Sequence, residues 1–161
     1  EKVLLSVIDA NRVARGEMHE FVGHDLVSLA IVRIDQGDYA AAERDLQSAL
    51  AIYRQSLPAE HPYVASALAH VGRVQLERGD LRNAESTLRD AIDMAVKFLP
   101  ADGSQVAAAR SSLGRVLLAT GRAQEAEAHL RHSLPILEKA QGPHASITVR
   151  TREALSRVSD R

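Results

Sequence analysis

RGDLRNAE, residues 78–85, sets Arg-Gly-Asp ahead of a segment with helical spacing. Two other stretches share its skeleton: QGDYAAAE (36–43) and TGRAQEAE (120–127) each carry Gly, then Ala five residues on, then Glu. Gly37, Gly79 and Gly121 are spaced by 42 (79 − 37 and 121 − 79). The same step joins Ala42, Ala84 and Ala126; Glu43, Glu85 and Glu127; and Leu46, Leu88 and Leu130. Self-similarity at a fixed step of this size marks an internal repeat. Only one of the three copies reads Arg-Gly-Asp, and short motifs match often by chance, so the tripeptide is read as architecture rather than as an adhesion signal. The glycine lies between two apolar-periodic runs, where a helix stops on a residue that tolerates positive φ.

Composition agrees with a helical array. Of 161 residues, 45% are hydrophobic but only 3% aromatic, so Ala and Leu carry the apolar load, and small side chains suit closely packed helices. The chain is long enough for one domain with a sizeable core. A net charge of −1 gives no global field for nucleic acid or an anionic membrane, so neither is expected as a partner. With no cysteine, disulfides and thiolate metal sites are excluded. No run of 18 apolar residues and no signal-peptide pattern occurs, and a cytoplasmic location is the expectation. The chain opens in mid-repeat, which leaves room for an upstream segment.

Each 42-residue unit holds one periodic segment before its glycine and one after. First helices are expected at about 22–36, 64–78 and 106–120, with apolar sets at shared offsets: Leu29, Ala30, Val32, Ile34; Val71, Gly72, Val74, Leu76; Leu113, Gly114, Val116, Leu118. Second helices are expected at about 38–56, 80–98 and 122–140, with Ala42, Leu46, Ala49, Leu50 and their counterparts on one face. Ala and Gly at the pairing positions let backbones approach. The connections SLPAEHP (56–62), FLPADGS (98–104) and AQGPHAS (140–146) also repeat, and proline separates helices there. Residues 1–14 match a second helix displaced by one period, and His19 stands 42 before His61. Leu155 and Val158 continue Leu113 and Val116, so the C-terminus reads as a lone first helix that caps the array. The organisation is therefore a truncated second helix (1–18), units at 19–60, 61–102 and 103–143, and a cap at 144–161. Pro135, inside the last second helix, predicts a bend near 131–135.

The set Val71, Gly72, Gly79, Ala84, Leu88, Ala91 resembles the tetratricopeptide repeat. The 42-residue step, the Ala-Glu after the turn and the linker HPYVASAL (61–68) resemble the longer variant found in kinesin light chains and bacterial regulatory proteins. The resemblance runs from Glu1 to about Val158 and implies an all-α fold, a right-handed α-solenoid of antiparallel helix pairs. Departures are Leu26, Leu68 and Arg110 where a bulky aromatic is usual, and Ser133 where the first two units have Ala49 and Ala91.

No catalytic constellation stands out. His129 and His132 share a helical face but lack a third ligand, so surface histidines are the better reading and no metal or other cofactor is expected. The glycines do not form a phosphate loop, and the basic residues are not interleaved with aromatics. The sequence argues against an enzyme.

A partner is expected on the concave wall that first helices build in a solenoid. One column there reads Ile31, Arg73, Arg115, Arg157, again 42 apart. The resemblance implies that this column faces the groove and, in co-chaperone members, grips a peptide carboxylate; its inward neighbours are expected to be His24, His70, Ser111, Ser112, Arg150 and Glu153. An arginine ladder offers bidentate donors, so an acidic or C-terminal peptide is the implied ligand. Against this, Arg73 lies four residues before Glu77, at intrahelical ion-pair spacing. Arg115 has Ser111 and Ala119 at those positions, which leaves its charge without a local partner. The leading expectation is a scaffold binding a protein or peptide segment in the groove. The alternatives are a regulatory or sensory arm of a larger bacterial protein, such as a serine/threonine kinase or transcriptional regulator, and a homodimer formed through the terminal helices.

Overall fold

Each glycine of the repeated skeleton ends a helix in a left-handed backbone conformation, with φ of +84° at Gly37, +80° at Gly79 and +81° at Gly121. At the central turn, the Gly79 amide donates to the Leu76 carbonyl and the Asp80 amide to the Gln75 carbonyl. The helix's last acceptors are thereby satisfied as the chain reverses. Asp80 then caps the next helix by accepting from the Asn83 amide, as Asp38 does from Ala41. RGDLRNAE is a helix stop, a reversal and a helix start.

The computed structural model describes residues 1–159. Its helices are α1 (Lys2–Arg15), α2 (Glu20–Gln36), α3 (Tyr39–Ser56), α4 (Pro62–Glu77), α5 (Leu81–Ala95), α6 (Ser104–Ala119), α7 (Ala123–Gln141) and α8 (Ser146–Ser159). Among the described residues there is no strand. The fold is an all-α helical-repeat solenoid. The pairs α2/α3, α4/α5 and α6/α7 pack most extensively, and the first helices α2, α4, α6 and α8 also touch one another in succession. His19 and His61 repeat one capping device: each ring Nδ1 accepts from the amide two residues on.

Glycine sets the closeness of the pairs. A Cβ on Gly72 would lie 2.6 Å from Leu88 Cγ, and one on Gly114 2.8 Å from Leu130 Cγ. Leu46, Leu88 and Leu130 are each fully buried, as are Ala42, Ala84 and Ala126. The apolar core runs along the array in sections: one spans α1 to α4, another α5 to α8 with α4 side chains packed against it, and a small one joins Ala65, Ala95 and Val106. On α1 the apolar side chains Val3 and Val13 stay 75% and 89% exposed.

One helix departs from expectation. The second helix of the middle unit ends at Ala95 rather than near 98, and residues 96–98 continue as turns. α7 runs through Pro135 as the expected span of 122–140 requires. Pro135 lacks the amide that would bond to the carbonyl of Arg131, and Ser133 Oγ donates to the His129 carbonyl at 2.8 Å one turn earlier.

Candidate functional site

Positions that recur every 42 residues on the first helices fall on one inward stripe. Its rows are His24, Ser66, Ala108, Arg150; Ser28, His70, Ser112, Ala154; and Ile31, Arg73, Arg115, Arg157. Within one helix these rows are four and then three residues apart, which places them on a single face. All of these residues but Arg115, Arg150, Ala154 and Arg157 line a concavity of about 510 Å³ between α2, α4, α6 and the start of α8. His24, His70, Arg73 and Ser112 meet there, joined by Ser66, Gln105 and the edge of Tyr63. Ser146, at the start of α8, donates from Oγ to Asp35 Oδ1 at 3.1 Å, so the cap helix reaches the C-terminal end of α2 and bounds the cavity.

His70 is partly buried in this cavity, and among the described residues its ring has no hydrogen bond. Desolvation pushes its pKa down to about 4, and the nearby Arg73 charge adds to the effect. The ring is therefore neutral at pH 7 and keeps both nitrogens for a ligand. Tyr63 packs edge-on against His24, with ring centroids 5.8 Å apart.

The arginine column has partners that helix-by-helix spacing does not show. Arg73 is buried, and its Nη2 lies 2.5 Å from Asp35 Oδ1 on the preceding first helix. It does not pair with Glu77 on its own helix. Arg115 is likewise not left alone: its Nη1 lies 2.9 Å from Glu77 Oε1. Each arginine thus reaches back 38 residues, from one unit to an acid at the end of the first helix before it. The registration of Asp35 and Glu77, 42 apart, was the available signal. A solenoid brings successive first helices side by side, so the stacked neighbour lies closer to the guanidinium than the intrahelical one. Glu77 also receives Arg150 from α8. Burial works against ionisation of Glu77, but the two guanidiniums outweigh it and hold its pKa below the usual carboxylate value.

The remaining expected residues divide. Arg115, Arg150, Glu153 and Arg157 gather in a second pocket of about 370 Å³ between α4, α6 and α8. Ser111 is not on the groove wall; it is fully buried, its Oγ 2.6 Å from Thr151 Oγ1 of α8. The cause is helical geometry: Ser111 precedes the stripe position Ser112 by one residue, and about 100° of rotation turns it into the α6–α8 packing. His129 and His132 lie apart from both pockets, in a depression with Arg89, Asp93 and Arg110. Desolvation, followed by the charges of Arg110 and Arg89, lowers the His129 pKa. Among the described residues no three histidine or carboxylate side chains are grouped to hold a metal ion, and no helix is long and apolar enough to cross a membrane.

Stacked helix pairs around a concave wall define a helical-repeat scaffold, and comparison with known proteins gives the family. The tetratricopeptide repeat family model matches residues 26–95 and 105–160, and the chain belongs to that family. Its repeats are in general protein-interaction modules. No curated protein matches it. Among solved structures, BtubC (BKLC) from P. vanneervenii is 14% identical with a TM-score of 0.69, the match covering 98% of this chain and 61% of that one. A Podosopora anserina chain described as a kinesin light chain with nearly identical TPR-like repeats is 21% identical, with a TM-score of 0.67 over 99% of this chain and 75% of that one. At these identities the likeness shows the fold.

Proposed function

We propose that the chain is a non-catalytic scaffold that binds a peptide segment of another protein in the concavity between α2, α4, α6 and α8. The observation that carries this reading is the inward stripe: small residues make room along it, and His70, Ser66 and Gln105 offer hydrogen-bonding groups to a chain laid across them. The middle of this groove is close to neutral, because Asp35 neutralises Arg73 and His70 is uncharged. It therefore suits an uncharged stretch, while any acidic part of a ligand belongs nearer Arg115, Arg150 and Arg157. Selection from a displayed peptide library, followed by titration against the chain carrying Ala108→Phe, tests the reading. Filling the groove from α6 abolishes binding of the selected peptides if they lie in it; undiminished binding to the filled variant refutes the groove as their site.

A further inference from the structure

The first helices carry Leu26, Leu68 and Arg110 at one register position, 42 apart. Leu26 is buried and Leu68 packs against the core, so the third unit sets a guanidinium where the others place an apolar side chain. Arg110 is half-buried, and among the described residues its guanidinium makes no ion pair and no hydrogen bond. Arg152 occupies the same position on α8 and finds Glu138 of α7 at 2.6 Å. The equivalent step of 14 residues back from Arg110 (152 − 138) reaches Val96, which has no charge. Arg110 instead lines a depression of about 380 Å³ between α5, α6 and α7, with Arg89 of α5 and His129 and His132 of α7. The buried apolar side chains Ile92 and Leu113 line it too, and such surroundings strengthen the field of a charge beside them. Arg89 is engaged by Glu85 at 2.8 Å, and Arg122 by Glu125 at 2.8 Å. That leaves Arg110 and the exposed Asp93, which share the depression without pairing.

We propose that this depression binds a phosphate group, with the Arg110 guanidinium as its principal donor and His129 and His132 adding imidazole N–H donors. The guanidinium comes from α6 and the imidazoles from α7, so the acceptor must direct oxygens to both helices. Phosphate has three oxygens in different directions, whereas a carboxylate has two in one plane. The depression shares no residue with the concavity between α2, α4, α6 and α8, and the proposal does not rest on the peptide reading. The state of His129 agrees with it. Burial, then the charges of Arg110 and Arg89, with His132 adding and Glu125 opposing, hold its pKa below the ordinary 6.5. The ring is therefore neutral at pH 7, and an anion bound beside it favours the protonated form.

The test titrates sodium phosphate, N-acetylphosphoserine N-methylamide and sodium acetate into the whole chain at constant ionic strength while the histidine Cε1–H signals are followed by NMR. Both phosphate probes are expected to shift the His129 and His132 signals saturably and to move the His129 titration midpoint upward. Acetate is expected to bind about tenfold more weakly. Arg110→Leu, which restores the residue of the first two units, removes the response, as does Arg110→Gln without the apolar bulk; Asp93→Asn strengthens it. Tighter binding of the phosphoserine probe assigns the group to a phosphorylated side chain of a partner, and tighter binding of inorganic phosphate to the free ion. A phosphate response that survives both Arg110 substitutions, equal binding of acetate, or a His129 midpoint unmoved at saturation overturns the site.

Discussion

His70 and Glu77 sit seven residues, about two turns, apart on α4 and titrate in adjacent windows. The neutral state of His70 is favoured by burial, so its folded pKa of about 4 lies below the ordinary 6.5. The unfolded chain then binds more protons between these values, and the stability contributed by the neutral ring, complete above 6.5, is lost as pH falls toward 4. Glu77 is shifted in the same direction from 4.5 by Arg115 and Arg150. Its contribution is present above 4.5 and disappears as pH falls through its depressed folded value. Denaturant unfolding as a function of pH should show stability declining in two successive stages. His70→Gln flattens the upper stage and Glu77→Gln the lower. A decline in the upper window unchanged by His70→Gln would show that the ring is hydrated in the folded state.

At the scale of the element, the glycine turns were legible because they depend on neighbours within four residues. Gly79 needs positive φ whatever packs around it. α7 shows packing outweighing an unfavourable local residue. Proline disfavours the interior of a helix, yet Leu130 and Leu137, on either side of Pro135, are both fully buried, so packing holds the helix through the missing hydrogen bond. Pro135 itself is exposed. Pro135→Ala should restore the backbone bond with little packing lost and raise stability by about 1–3 kcal/mol, read from the chemical-denaturation midpoint at unchanged slope. A neutral or destabilising result would mean that α7 is already bent to suit proline.

Across the whole molecule, Asp35 joins three first helices: it holds Arg73 of α4 and accepts from Ser146 of α8. The two ends of its ion pair differ in exposure, 6% for the Arg73 side chain against 43% for that of Asp35. Removing the acid leaves a buried guanidinium without its counter-charge, whereas removing the arginine leaves a carboxylate that water reaches. Asp35→Ala is accordingly expected to cost about 1–3 kcal/mol and Arg73→Ala less of the electrostatic part, after correction for lost side-chain packing by comparison with Arg73→Met. Equal costs would show that the arginine is hydrated when its partner is gone.

The sequence by itself determined the repeat, its 42-residue step, the helix stops and starts, the close-packing glycines and the 42-residue register of Ile31, Arg73, Arg115 and Arg157. These follow from periodicity and from turn chemistry, both of which act over a few residues and recur in each unit. Only the tertiary structure decided what the column does. Stacking brings Asp35 and Glu77 against arginines 38 residues later, and helical rotation turns Ser111 into the packing beside Thr151. It also curls α8 back until Ser146 meets Asp35. The physical reason is that an ion pair is decided by distance in space, and in a solenoid the nearest opposite charge belongs to the next unit rather than to the next turn of the same helix.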